Sequence, residues 1–319
     1  MLIAITGATG FLGRYITSLF LGQGHRCRCW HRPDSDRGGF VHDGTAITWI
    51  EGGLHQPDSI APLIDGADAV VHAGLYRPSG GAGHRGAESD LMHFAQVNLM
   101  GSLGLITAAH RAAIPRFVFI STCGVHDVIL DDRALDETHP LWPQSHYGAH
   151  KAAIEKFVHS HGLACALPEG AAPTHRHLET TQGWGICALR PCGIYGLRRP
   201  VEDSKWHAVV RDVKAGRTID DASGGKEVHA EDVARAVRRL LDAEVEQVRG
   251  RSFNCCDLYV AAQDVAVMAK TLTGSSSEIV MRSKNPRHQI DTTRLQALGM
   301  EFQGRARLER YVCELVERC

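Results

Sequence analysis

The sequence predicts an α/β fold, a doubly wound parallel sheet with a smaller C-terminal substrate lobe. Three observations predict it: an apolar strand running into a glycine-rich turn, regular alternation of strand and helix patterns, and loss of that alternation past residue 190.

The first strand is Leu2 to Thr6, and Thr6-Gly7-Ala8-Thr9-Gly10-Phe11-Leu12-Gly13 follows it directly. A buried strand must turn sharply into a helix here. Gly7 permits the tight turn, Gly10 lets the backbone approach a pyrophosphate, and Gly13 lets the helix pack against the sheet. The helix N-terminus then faces the anion. An amphipathic pattern (Tyr15, Ile16, Leu19, Phe20) continues to the stop Gly22-Gln23-Gly24. This is a Rossmann-type dinucleotide site.

Further strands are read at Arg26 to His31, Ala46 to Ile50, Ala69 to Ala73, Arg116 to Ser121 and Gly185 to Leu189. Helices are read near Phe11 to Leu21, Ser59 to Ile64, Leu91 to Ala113, Tyr147 to His161 and Ala230 to Ala243. The dinucleotide-binding domain is therefore 1–190, with 226–243 returning to it. The substrate lobe comprises 191–225 and 244–319, whose short segments look too scattered to form a core of their own. The stretch 164–184 is a long irregular insertion between helix and strand.

Composition narrows the partners. With 35 basic and 36 acidic residues the chain is near neutral, so neither a nucleic-acid groove nor a membrane-binding face is expected, and a small-molecule substrate is. No apolar run approaches ~18 residues and no charged leader precedes one, which reads as cytoplasmic. The cysteines lack the spacing of a disulfide scaffold or a metal site, so reduced thiols and no metal are expected.

The chemistry is read from Tyr147-Gly148-Ala149-His150-Lys151, which puts a phenol and an ammonium at i and i+4 on one helix face. A lysine cation favours the phenolate and brings a tyrosine toward working range as an acid/base. The second strand ends in Trp30-His31-Arg32, where an acidic residue would otherwise meet the adenosine ribose. An arginine there suits a 2′-phosphate, with His31 and Arg37 as further donors, so NADP is favoured and NAD possible.

With these motifs on the page, the chain resembles the extended short-chain dehydrogenase/reductase family, of the NAD-dependent epimerase/dehydratase type. Matching stretches include Val70-Val71-His72-Ala73, Val97-Asn98-Leu99-Met100-Gly101, Phe117 to Thr122, Leu189-Arg190-Pro191, Ile194-Tyr195-Gly196 and Val228 to Ala234. The resemblance implies Thr122 as the catalytic hydroxyl, with Ser121 as runner-up, and Asn98 as a brace. It implies a cofactor site of Gly7, Thr9, Gly10, Phe11, Leu12, Gly13, His31, Arg32, Gly53, Leu54, His72, Ala73, Gly74, Tyr147, Lys151 and Pro191. It also implies a homodimer through the helices Leu91 to Ala113 and Tyr147 to His161.

Departures from that family narrow the reaction. Thr122 is followed by Cys123 and Gly124 where dehydratases carry acids, and Gly193 stands where sugar-nucleotide epimerases commonly have Asn. Gly53 replaces an Asp that often meets adenine, and His126 replaces a tyrosine of the pocket wall. The leading expectation is a carbonyl/alcohol oxidoreductase using NADP(H), with Cys123 as a minor acid/base candidate. The alternatives are a sugar-nucleotide epimerase retaining its cofactor and a non-catalytic NAD(P)-sensing regulator. The loop from Arg77 to Gly86 reads equally as a lid over the substrate or a surface loop.

Overall fold

A computed structural model of the chain describes residues 1–40, 44–77, 90–164, 184–282 and 287–319. Most of the 164–184 insertion and of the Arg77 to Gly86 loop lie outside the described residues. In chain order the strands are β1 (Leu2–Thr6), β2 (Arg26–His31), β3 (Ile47–Glu51), β4 (Ala69–His72), β5 (Arg116–Ile120), β6 (Gly185–Pro191), β7 (Gly193–Tyr195), β8 (Gly224–His229), β9 (Arg251–Cys255) and β10 (Leu258–Ala261). Helices are α1 (Phe11–Gly22), α2 (Ile60–Ile64), α3 (Leu91–Ala95), α4 (Gly101–Arg111), α5 (His146–Ala164), α6 (His207–Lys214), α7 (Ala230–Asp242), α8 (Val245–Val248), α9 (Ala262–Thr273), α10 (Thr293–Gln296) and α11 (Gly304–Arg318).

Seven strands form one sheet in the order β3-β2-β1-β4-β5-β6-β9, every pairing parallel. The central strands β1, β4, β5 and β6 are buried on both faces, as their near-continuous apolar runs require, while β3 at the edge is largely open. Side-chain alternation sends Ile3, Ile5, Val71, Val118 and Leu189 to the face covered by Ile16 and Phe20 of α1 and Val233 and Val237 of α7. Ala4, Val70, Phe117, Phe119 and Ile186 face Leu105 and Ile106 of α4 and Ile154 and Val158 of α5. The chain leaves β1 toward β2 and β3, then crosses to β4 on the other side, so the winding reverses between β1 and β4. A crevice opens at their carboxyl ends.

Two expectations change. The seventh strand is β9, from a stretch the sequence reading places wholly in the smaller lobe. Its register, from Cys187↔Arg251 to Pro191↔Cys255, makes it the sheet edge. The smaller lobe also has its own core. There β10-β8-β7 packs with α6, α9 and α11 around Tyr195, Val210, Val265, Leu308 and Tyr311. Residues far apart in sequence supply it, so no local run reveals it.

Leu91–Arg111 is one continuous helix in which a π-helical turn, Gln96–Met100, separates α3 from α4. By length and composition alone it is apolar enough to cross a membrane, although Ser102, Gly104 and Thr107 break any unbroken apolar run. Leu105, Ile106 and Ala109 of this helix are buried against the sheet.

Candidate active site

A cleft of about 1420 Å³ opens at the carboxyl ends of β1 and β4 and extends beneath the smaller lobe. Its floor is the glycine turn. Gly7 has φ +73°, and a Cβ there would sit 2.7 Å from the Ala73 carbonyl oxygen, so the turn presses against the end of β4. At Gly13 a Cβ would lie 1.9 Å from the Gly7 oxygen, which forces the helix to start on a glycine-lined approach. Gly10 differs. Its added Cβ would meet only the Gly7 oxygen, at 3.2 Å, and would otherwise fill open cleft. Gly10 is also the N-cap of α1, supplies no side-chain cap, and is followed by no acid in the first turn. The first N–H groups of the helix thus keep their donors for an anion. That combination fits the pyrophosphate of a dinucleotide.

Of the expected cofactor residues, Gly7, Thr9, Gly10, Phe11, Leu12, Gly13, His31, Arg32, Gly53, Leu54, Ala73, Gly74, Tyr147, Lys151 and Pro191 all line this cleft. His72 does not. It is buried under the floor between the Thr6 hydroxyl, 2.7 Å away, and the Ser102 hydroxyl, 2.8 Å away. Burial lowers its pKa to about 3, so it is a neutral structural ring. His72 is the last residue of β4, and the chain reaches the cleft only beyond the strand, at Ala73 and Gly74.

At the far end, Arg32 is exposed and its guanidinium stands 3.4 Å from Asp34. The Arg32 N–H donates to the Ser35 hydroxyl and the His31 ring contacts the Arg32 carbonyl, so the basic turn is ordered by its own residues. Gly52 is dictated by packing: a Cβ there would lie 2.4 Å from the Ser59 side chain.

The chemistry-bearing groups converge at the cleft's middle. Thr122 caps a short 3-10 turn, Cys123–His126, by accepting from the Gly124 N–H at 3.1 Å. Its hydroxyl stands beside the Tyr147 phenol and favours the ionised form of that phenol. Burial raises the Tyr147 pKa, and the Arg77 guanidinium and the Thr122 side chain offset that rise only in part. Lys151 is buried, donates to the Ile120 carbonyl at 2.8 Å and lies 4.6 Å above the Phe119 ring. Burial lowers its pKa to about 7, against a raising influence from Glu155 and a further lowering by Arg77. Arg77 is thus a site residue the motif reading missed, although it opens the loop noted for its arginines.

Asn98 lies outside the cleft lining and is buried. Its amide accepts from the Tyr76 N–H at 2.8 Å and donates to the Tyr76 carbonyl at 3.0 Å, clamping the segment that carries Arg77. Ser121 is turned the other way, donating to Glu155 behind the site. The Cys123 thiol donates to the Arg190 carbonyl at 3.0 Å, and burial raises its pKa, which holds it as a protonated thiol. Gly193 also has a reason. A Cβ there would sit 2.4 Å from Oε2 of Glu227, a buried carboxylate paired with Lys205 at 2.5 Å. Among the described residues, no cluster of His, Cys, Asp or Glu could hold a metal ion.

A parallel sheet with its glycine turn at the switch point, and a Thr–Tyr–Lys group beside it, defines a dinucleotide-binding protein of the short-chain dehydrogenase type. The chain belongs to the NAD dependent epimerase/dehydratase family, whose profile matches residues 3–256. Similar curated proteins include the 3-beta-hydroxysteroid dehydrogenase of Mycolicibacterium neoaurum, 25% identical over 219 residues, 67% of this chain and 52% of that protein. Another is the photosystem II assembly factor Ycf39 of Cyanophora paradoxa, 34% identical over 122 residues, 38% of this chain and 34% of that protein. The chain therefore spans about a third to a half of the length of these relatives. Among solved structures, the Thermus thermophilus UDP-glucose 4-epimerase complex with NAD superposes with a TM-score of 0.73 at 19% identity, covering 99% of both chains. RMD from Pseudomonas aeruginosa, complexed with NADPH, gives 0.72 at 19% identity, again over 99% of both. These likenesses share the fold.

Proposed function

We propose that the protein is an NADP(H)-dependent oxidoreductase interconverting a carbonyl and an alcohol on a small molecule with an apolar body. The carrying observation is the convergence of Thr122, Tyr147 and buried Lys151 on one wall of the cleft that the glycine turn floors. When bound, a nicotinamide dinucleotide supplies the hydride exchanged with the substrate carbon. The chain's residues handle the proton. The Thr122 and Tyr147 hydroxyls both donate to the substrate oxygen, and in the reducing direction the Tyr147 proton passes to it. Lys151, titrating near neutrality, supports the phenol from below. Asn98 holds Tyr76, and through it the Arg77 backbone, in place.

Two observations support net redox on an apolar substrate. Ile129, Leu135, Cys192, Ile194 and Ile290 line the substrate end, and Glu227 fills the space beside Gly193 where a polar side chain would reach a nucleotide sugar. Hydroxysteroid dehydrogenases also stand among the relatives. Exposed Arg32 supports the 2′-phosphate of NADP. Met92, Met100 and Phe157, exposed on α3 to α5, support pairing with a second copy. All described cysteines are free thiols, which fits a reducing compartment.

The test is to denature freshly purified protein, identify any released nucleotide, and follow NADPH oxidation with ketones and aldehydes in wild type and Tyr147→Phe. Reversible NADPH binding with turnover lost in the variant supports the proposal. Near-stoichiometric release of oxidised cofactor would favour the epimerase instead. Binding without turnover across the panel would favour a regulator.

A further inference from the structure

Arg198 has no part in the site as described. It follows β7 in the smaller lobe, yet its guanidinium stacks 4.5 Å from the ring centroid of Phe11 in the glycine turn of the larger one. It lines the same cleft as Gly10 to Gly13.

The placement is held from behind. Gly196 approaches Tyr15 so closely that a Cβ would lie 2.9 Å from the phenol oxygen, and the Tyr15 hydroxyl donates to the Leu197 carbonyl at 3.2 Å. The Arg198 N–H donates to the Ser204 hydroxyl at 2.8 Å. Nearby cations are already paired, since Asp36 takes Arg14 at 3.0 Å and Arg199 at 3.4 Å. Among the described residues, no carboxylate pairs with Arg198. Its exposed guanidinium therefore lies, without a carboxylate partner, on the side chain of the first residue of a helix that has neither a side-chain cap nor an acid in its first turn.

We propose that Arg198 clamps the pyrophosphate of the nicotinamide dinucleotide against the glycine turn, so that the cofactor is held between the two lobes. The inference rests on the dinucleotide reading above. A planar guanidinium binds phosphate oxygens bidentately, and stacking on Phe11 orients it before the ligand arrives. Because the pyrophosphate is common to NADP and NAD, Arg198 contributes affinity without selectivity. Selectivity belongs to Arg32, at the other end of the cleft.

The experiment measures dissociation constants of NADPH, NADH, ADP and adenosine 2′-monophosphate for wild type, Arg198→Leu and Arg198→Lys, with thermal midpoints as a folding control. Arg198→Leu is expected to weaken NADPH, NADH and ADP alike, by about tenfold, and to leave the 2′-monophosphate within twofold. Arg198→Lys, which keeps the charge and loses the fork, falls between. If ADP and both dinucleotides bind the leucine variant within twofold of wild type, the clamp is overturned. It is also overturned if only NADPH and the 2′-monophosphate weaken, since Arg198 would then serve the 2′-phosphate. A wild type that binds neither dinucleotide overturns the dinucleotide reading itself, and the inference with it.

Discussion

The Glu155 carboxylate lies 2.6 Å from the Arg190 guanidinium, with both side chains sealed from water, one turn of α5 behind Lys151. Glu155 also accepts from the hydroxyls of Ser121 and Ser252. Tyr147, Lys151 and Glu155 thus share one face of α5 at successive turns, and the last of them ties that face to β6. Burial pushes the Glu155 carboxyl up, but Arg190 and the two hydroxyls outweigh it and hold it below the usual range.

Glu155→Gln leaves Arg190 buried without its counter-charge, which costs about 3–5 kcal/mol. The Glu155→Met, Arg190→Met double variant is expected to recover much of that loss. Urea unfolding of the three proteins checks it. Because the folded pKa of Glu155 is depressed, its contribution is complete above the unfolded value of ~4.3 and is lost as pH falls through the lower folded one.

Lys151 works in the opposite sense. With its folded pKa at about 7 and an unfolded one of ~10.4, the unfolded chain binds more protons between those values, so this group makes stability rise with pH across that window. Lys151→Met is expected to be more stable than wild type at pH 7, with the gap closing toward pH 10. Thermal midpoints across that range would show a constant gap if Lys151 were not strained by burial.

Tyr147→Phe is expected to lower kcat by about 10²–10⁴ with NADPH affinity little changed. Thr122→Ser retains most activity and Thr122→Ala does not. Ser121→Ala lowers stability instead, because its hydroxyl serves Glu155. Steady-state kinetics beside unfolding curves separates these two roles.

Arg32→Asp is expected to move preference from NADPH toward NADH. Asp34→Asn, which frees Arg32 from its partner, should tighten NADPH and leave NADH unchanged. Fluorescence titration with both cofactors checks each. Equal affinity of Arg32→Asp and wild type for both would remove Arg32 from the site.

Gly13→Ala drives a methyl onto the Gly7 carbonyl and is expected to cost about 1–3 kcal/mol or more. Gly10→Ala meets only one atom at 3.2 Å, so it should fold with nearly wild-type stability while binding NADPH at least ~10-fold more weakly. Denaturation and titration on the same samples distinguish a packing glycine from a binding one.

The sequence by itself determined six of the seven strands of the larger sheet and the place of its ligand, because these depend on local signals, whereas the edge strand β9 was decided by a pairing with β6 across more than sixty residues. Strand alternation, the glycines after β1 and the i, i+4 spacing of Tyr147 and Lys151 all act within a few residues of one another. Only the tertiary structure decided which polar groups face the cleft and which support it from behind. His72, Asn98 and Ser121 fit the same motifs as their neighbours, yet each is turned away, toward Ser102, Tyr76 and Glu155 respectively. The smaller lobe's core and the stacking of Arg198 on Phe11 were equally illegible. Both join residues more than a hundred positions apart, and no local pattern records which distant chain will supply the partner of a buried or stacked group.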